Sequence, residues 1–346
     1  MLKIMGVDNS LREIIGALEK PLAYPHPTEN IKRIITGASV VFLTGTKAYK
    51  LNKPVNLGFL DFSTLEKRKL QCEKEYRYNS RISPDLYLGV VAITKDKQGK
   101  ITINGSGEAI EYAVMMNQLD PSLIMSDLLK QDKVNQMHLH KIANKIFAFH
   151  QQALTGAEIA EFGSLKSIQF NWDENFEQTE KYKPAIISEL DFRLMQQKIN
   201  GFINKNKGLL ACRVEQGKVK HCHGDFHSGN VFITPEGIYI FDGIVFNQRF
   251  PCSDVIAEIA FMAMDLEFHG KQDLAEAFIG KYQELSKDKD IPALLDFYKC
   301  YRAYIRGKIN CFTSEDSNLT AAEKEKAIND AREYFSLAKY YASLLK

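Results

Sequence analysis

The run His223-Gly-Asp225-Phe-His-Ser-Gly-Asn230, the two β-rich stretches Val231-Phe-Ile-Thr and Ile238-Tyr-Ile-Phe around Pro235-Glu236-Gly237, and then Asp242 bring together groups suited to metal-assisted group transfer. The stretches around the Pro-Glu-Gly turn predict a hairpin. With Glu236 at its centre, Asn230 and Asp242 each lie six residues away, so antiparallel pairing sets them opposite one another on one face. Directly paired positions have Cβ atoms about 5 Å apart. An amide oxygen and a carboxylate at that separation are hard ligands for Mg²⁺, which takes few protein groups and completes its shell with phosphate oxygens. Asp225, in the loop feeding the first strand, is then placed to accept a proton from a substrate hydroxyl, or to orient that hydroxyl toward a phosphoryl group held by the metal.

Neighbouring residues read more plainly. His221, His223 and His227 crowd together, but no cysteine or carboxylate set completes a zinc site. His223 is expected to pack beneath the loop. Asp254, Glu258 and Asp265 recur at spacings of 4 and 7 along one predicted helix, and loop bracing or ordinary solvation is favoured over an acidic wall for a cationic substrate. Arg302, Arg306 and Lys308 read as a basic helix face rather than a pocket rim.

The elements that position these groups fall into two kinds. Ile31 to Thr36, Ser39 to Thr44 and Lys47 to Leu51 are strand-like and separated by Gly37 and a Thr44-Gly45-Thr46 turn. Ser63-Thr64-Leu65-Glu66 predicts a capping box, with Ser63 receiving the Glu66 N–H, and a helix to about Asn79. Leu88 to Thr94 and Ala109 to Met116 complete an antiparallel sheet with one helix on it. Helical periodicity dominates afterwards, with windows near 122–131, 136–153, 183–205, 254–268, 271–285, 291–312 and 321–344, broken by one β island at 231–241. The expected fold is α+β and bilobed: a small β-rich lobe over 1–116 and a larger, mostly helical lobe over 117–346, hinged at Met116 to Asp120.

Composition narrows the class. The 346 residues carry 45 basic and 43 acidic side chains, a net charge of +2, with 45% hydrophobic and 25% charged residues. These are globular proportions and give no support for a nucleic-acid partner. No stretch of 18 apolar residues occurs, which argues against a membrane span, and Met1 to Lys20 contains no signal-like apolar core. A cytoplasmic protein is expected. The six cysteines are scattered without a C-x-x-C pair and are expected to be reduced core thiols. The sequence indicates no oligomeric state.

The pattern H-G-D-x-x-x-x-N, a hairpin, and an Asp 17 residues after the first resembles the catalytic signature of protein-kinase-like phosphotransferases in its aminoglycoside phosphotransferase variant. V-F-L-T-G-x-x-x-Y-K-L-x-K-P-V at 41–55, F-L-D-F-S-T-L-E-K-R at 59–68 and A-x-x-A-M-D-L at 260–266 resemble the bacterial branch labelled aminoglycoside phosphotransferase family enzyme, and the resemblance runs from about residue 35 to 312. Longer members of that branch append a P-loop domain. No G-x-x-x-x-G-K-[ST] occurs in this sequence, so that domain is not expected here.

The resemblance implies ATP and Mg²⁺ as cofactors and a hydroxyl of a small molecule as acceptor. It gives Asp225 the catalytic role, Asn230 and Asp242 the metal, and Lys50 the ATP phosphates with Glu75 as its helix partner. Lys53 competes with Lys50 for this role, and Glu66 and Glu73 share the helix with Glu75. Backbone groups from Met116 to Gln118 would meet the adenine, and Asp254 resembles the residue that braces the catalytic loop. Thr36-Gly37-Ala38-Ser39 has one glycine where protein kinases use a G-x-G-x-x-G phosphate cover. Eleven residues separate Asp242 from Asp254 without an A-P-E, which disfavours a protein acceptor. The alternatives are a kinase acting on a protein and a nucleotide-binding scaffold without turnover.

Overall fold

Alternation through Val40-Val41-Phe42-Leu43 and Ala48-Tyr49-Lys50-Leu51 sends successive side chains to opposite faces of a sheet. The computed structural model describes residues 9–346 except 57, 59 and 318. Helix α1 (Asn9–Leu18) precedes β1 (Lys32–Ile35), β2 (Ser39–Leu43), β3 (Lys47–Asn52), α2 (Leu65–Asn79), β4 (Tyr87–Lys95), β5 (Ile101–Ile103) and β6 (Glu108–Asn117). The strands form one antiparallel sheet in the order β1-β2-β3-β6-β4-β5. Phe42, Tyr49, Leu51 and Ile93 share one core with Leu11, Ile14 and Leu18 of α1, so the segment before the sheet covers one of its faces. Ala48, Val114 and Met116 point to the other face, against Cys72 of α2. Lys50 pairs with Val41 and Val114, and alternation places it on this α2 side.

Helix α2 differs from the expected cap by one residue. Thr64 accepts from the Lys67 N–H at 3.3 Å. Ser63 is engaged elsewhere, its hydroxyl and amide both donating to Asp61 Oδ1 at 2.6 and 3.0 Å. β5, between the strands expected at Leu88 to Thr94 and Ala109 to Met116, was not expected.

The chain continues through α3 (Met125–Lys130), α4 (Gln136–Gln152), α5 (Ala157–Glu161), α6 (Leu165–Thr179), α7 (Glu189–Lys205), α8 (Lys207–Glu215) and β7 (Val219–His221). After β8 (Val231–Ile233), β9 (Ile238–Ile240) and β10 (Cys252–Asp254) come α9 (Val255–Phe268), α10 (Gln272–Ser286), α11 (Ile291–Ser314) and α12 (Ala321–Leu344). The seven expected helical windows are all occupied by helix. Helices α5, α6 and α8 were not expected, and β7 pairs with β10 as a second small sheet besides β8-β9. Helix α6 buries only a narrow stripe, Trp172, Asn175, Phe176 and Thr179, which hides its period in a polar sequence. Helix α9 is buried on every side from Val255 to Leu266, and its sequence there is apolar except at Glu258 and Asp265.

Two units result. One holds the residues through Ile124 together with Phe232–Gln248, the other Met125–Val231 with Arg249–Lys346. This partition differs from a single boundary at 116/117. The hairpin segment groups with the sheet because Ser83 Oγ donates to Ile240 O at 2.8 Å, Gly243 N donates to Asn79 Oδ1 at 2.8 Å, and Tyr239 and Phe241 pack against the α2-side core. The six cysteines are unpaired. Among the described residues no helix is long and apolar enough to cross a membrane.

Trp172, 1% exposed, meets Phe176, Phe297, Tyr301 and Tyr304. Trp172→Ala is expected to lower unfolding free energy by about 3–5 kcal/mol, measured by denaturant titration followed by circular dichroism.

Candidate active site

In the sheet unit, β3 presents Lys50 toward the polar stripe of α2. Its Nζ donates to Glu75 Oε1 at 2.8 Å and to Asp242 Oδ1 at 2.6 Å. Glu75 is 3% exposed. Burial disfavours the Lys50 ammonium, but Asp242 and Glu75 outweigh it and hold its pKa well above the ordinary value. Asp242 takes a left-handed backbone at φ 62°, fixed by its N–H donating to Tyr87 Oη at 3.0 Å. The competing residues go elsewhere. Lys53 donates to Thr36 O in the β1–β2 turn, Glu73 is exposed beside Lys69, and Glu66 is on the outer first turn of α2.

The turn between β1 and β2 closes on itself: Thr36 N donates to Ser39 O at 3.0 Å and Ser39 N donates to Thr36 Oγ1 at 3.0 Å. At the end of β6, the N–H groups of Asn117 and Gln118 donate to Leu86 O and Thr46 O at 2.8 and 2.9 Å, and Met116 is buried.

In the helical unit, the segment 223–230 is suspended on side chains from α9 and α11. Both Glu258 oxygens take loop amides, from His223 N at 2.8 Å and Gly224 N at 2.7 Å, and Asp265 Oδ2 accepts from Ser228 N at 2.8 Å. Arg302 Nη1 donates to Gly224 O at 3.1 Å and its Nε to Ala257 O at 3.0 Å. Gly224 has φ 86°, and a Cβ there would come within 3.0 Å of Pro251 Cα, so both conformation and space require glycine. Asn230 Nδ2 donates to Asp225 Oδ2 at 3.0 Å and to Asp225 O at 2.9 Å. His227 Nδ1 accepts from Gly229 N at 3.1 Å, which leaves Nε2, 3.4 Å from Asp225 Oδ2, to carry the proton toward the carboxylate. Burial opposes ionisation of Asp225, but His227, Arg306 and His223 overcome it and hold the carboxyl well below the usual carboxylate range. The side chain is still 35% exposed.

Several expectations are corrected here. Thr234 N donates to Gly237 O and Gly237 N to Thr234 O at 2.9 and 3.2 Å, so the turn centres between Pro235 and Glu236 rather than on Glu236. Asn230 sits in a short 3₁₀ turn and Asp242 beyond the end of β9, so the two are not a directly paired rung of the ladder. The loop is braced by Glu258 and Asp265. Asp254 instead pairs bidentately with Arg213, at 2.5 and 2.7 Å, and caps α9 through Ile256 N. Arg302 and Lys308 are buried, and Lys308 donates to Asn175 and Gln178, so they are not a solvated basic face. His223 is buried beneath the loop, its Nδ1 accepting from Asp225 N at 3.4 Å. Arg213 was not singled out in the sequence; a lone arginine on a helix carries no signal until its acidic partners at 254, 288 and 290 converge on it.

Each proposed metal ligand has the chemistry for Mg²⁺. Asn230 uses its amide nitrogen on Asp225 and its Oδ1 takes no hydrogen bond among the described residues, while the Asp242 side chain is 51% exposed.

The chain resembles several solved structures. A choline kinase from Cryptosporidium parvum Iowa II matches with TM-score 0.55 and 11% identity over 97% of each chain. Aminoglycoside 2′-phosphotransferase-IIIa in complex with GDP matches with TM-score 0.52 and 9% identity over 94% of this chain and 99% of that one. A glucosamine kinase matches with TM-score 0.51 and 12% identity over 98% and 83%. The fold is protein-kinase-like. Uncharacterised proteins of Mycobacterium tuberculosis and Mycobacterium bovis are 29% identical over 276 residues, 80% of this chain, which spans 54% of their length. No protein-family model matches the chain. Within this protein-kinase-like frame, the 223–230 loop owes its shape to buried acids on the helix behind it.

Glu258 shows how strongly that shape is tied to ionisation. Burial raises its pKa, but His150, His223 and the loop amides bring it down to about 2. A carboxyl with a depressed folded pKa contributes stability that is complete above about pH 4.5 and is lost as pH falls toward 2. Acid titration of thermal stability is expected to show a loss of roughly 3 kcal/mol across that window, and Glu258→Gln should flatten it.

Proposed function

We propose that the protein is an ATP- and Mg²⁺-dependent phosphotransferase that moves the γ-phosphoryl group to a hydroxyl of a small molecule. The observation that carries this reading is Asp225. It is a partly exposed carboxylate kept ionised by its surroundings and aimed by Asn230 and His227, on a loop whose backbone is fixed by Glu258, Asp265 and Arg302. The small-molecule acceptor follows the named substrates of the neighbours of like fold, choline, aminoglycoside and glucosamine.

In this reading Lys50, aligned by Glu75, holds the nucleotide phosphates. Asn230 and Asp242 would hold Mg²⁺ through their side-chain oxygens, and the ion would supply neutralising charge for the triphosphate. The strand end from Met116 to Gln118 receives the adenine through carbonyl oxygens, because the amides of Asn117 and Gln118 are already engaged. Asp225 accepts a hydrogen bond from the acceptor hydroxyl and holds its oxygen in line with the γ-phosphorus. The new O–P bond forms as the bond to ADP breaks, and the hydroxyl proton leaves through Asp225. With so low a pKa Asp225 is a weak base, so its main contribution is orientation, as expected for phosphoryl transfer.

Asp225→Asn is expected to fold normally and to lose about 10²- to 10⁴-fold in turnover. The assay is ADP release with a hydroxyl-bearing metabolite panel, and near wild-type turnover would overturn the assignment. Chelation of Mg²⁺ should abolish turnover, with recovery on adding the metal back. Lys50→Met should weaken ATP use while leaving acceptor binding close to wild type, read by titrating each ligand separately.

A further inference from the structure

The groups around Asp225 carry information about the acceptor that the catalytic loop alone does not. The three acids on or beside α9 are all engaged by the protein itself: Asp254 by Arg213, Glu258 by His223 N, Gly224 N and His150, and Asp265 by Ser228 N. None of them is left as an acidic wall for an amine. The charges that reach Asp225 are those of His227, Arg306 and His223, all cationic or able to become so.

Arg306 is the member of this group without a structural task that uses its whole fork. It lies on α11 one turn beyond Arg302, and positions four apart share a helix face. Arg302 reaches Gly224 O at 3.1 Å, so this face looks onto the chain just before Asp225. The Arg306 guanidinium lies 5.6 Å from the centroid of the Tyr334 ring of α12. Its Nε is buried and has no hydrogen-bond partner among the described residues. A buried guanidinium N–H without an acceptor is costly and calls for one. Arg306 feels the charges of Asp225 and Asp265 yet forms an ion pair with neither, and Asp265 is already taken by the loop.

We infer that the acceptor carries an anionic group, a carboxylate or a phosphate, which Arg306 binds while Asp225 orients the acceptor's hydroxyl. This inference rests on the proposed phosphotransferase reading for the hydroxyl, but not for the anion. It separates this protein from neighbours of the same fold named for choline and glucosamine, which are cationic at neutral pH. Arginine suits the task because its planar fork matches carboxylate and phosphate oxygens.

The test is calorimetric titration of the full chain in the presence of Mg²⁺ and a non-hydrolysable ATP analogue. The anionic probes are a panel of hydroxy acids and sugar phosphates that includes glycerate and glycerol 3-phosphate. The cationic probes are choline, ethanolamine and glucosamine. At least one anionic probe should bind about tenfold more tightly than every cationic one. Arg306→Gln should weaken that probe by about tenfold or more without changing affinity for the nucleotide, and Arg306→Lys should retain part of it. Tighter binding of a cationic probe, no binding of any anionic probe at millimolar concentration, or unchanged anion affinity in both Arg306 variants would overturn the inference. Adding ATP and following ADP separates the two readings. A bound anionic probe that is never phosphorylated counts against phosphotransfer and leaves the anion site standing, whereas turnover confined to cationic probes does the reverse.

Discussion

Burying Glu258 and Asp265 inside a mostly apolar helix is the constraint on which the 223–230 loop depends. A carboxylate with almost no exposure is tolerable only if its oxygens are filled, and here they are filled by the backbone N–H groups of the loop itself. The arrangement works in both directions. The acids need the loop amides, and the loop, which has too few regular hydrogen bonds to hold a shape, needs the acids. Arg302 closes the arrangement from the opposite side by taking the carbonyl of Gly224.

The sheet unit applies similar logic with different residues. The face of α2 that turns inward is Arg68, Gln71, Cys72, Glu75 and Asn79, a largely polar stripe. Each polar member except Gln71 has a named partner: Arg68 pairs with Glu111 at 2.7 Å, Glu75 with Lys50 at 2.8 Å, and Asn79 accepts from Gly243 N at 2.8 Å. Polar bonds of this kind specify where a helix sits more than they stabilise it, since a buried ion pair roughly offsets its own desolvation. The helix is therefore held in one position, and Lys50 is held with it. Asp242 is fixed in the same way, by its left-handed backbone and the Tyr87 hydroxyl, so that it meets Lys50.

Elements with a strong apolar period were legible from the residues: the alternating strands at 39–51, the long helices over α11 and α12, and the apolar α9. Helices α6 and α8 and the paired strands β7 and β10 were not, since three-residue strands have no period and a helix that buries four side chains barely shows one. The shift of the α2 cap from Ser63 to Thr64 has a local cause, because Asp61 competes for the serine. The hairpin register also went astray locally, by half a residue, which is enough to move Asn230 and Asp242 out of direct pairing.

By itself the sequence determined the residue types and spacings of the loop, the alternation that puts Lys50 on the helix side of its sheet, and the α+β character of the chain, because these follow from short-range periodicity and local turn chemistry. Only the tertiary structure decided which acids brace the loop, that Arg302 and Lys308 are interior rather than solvated, and that the Arg306 Nε is buried without an acceptor among the described residues. Those facts depend on groups dozens of residues apart meeting in a place without water, where an unfilled charge or hydrogen bond is costly, and no pattern within a single segment encodes that meeting.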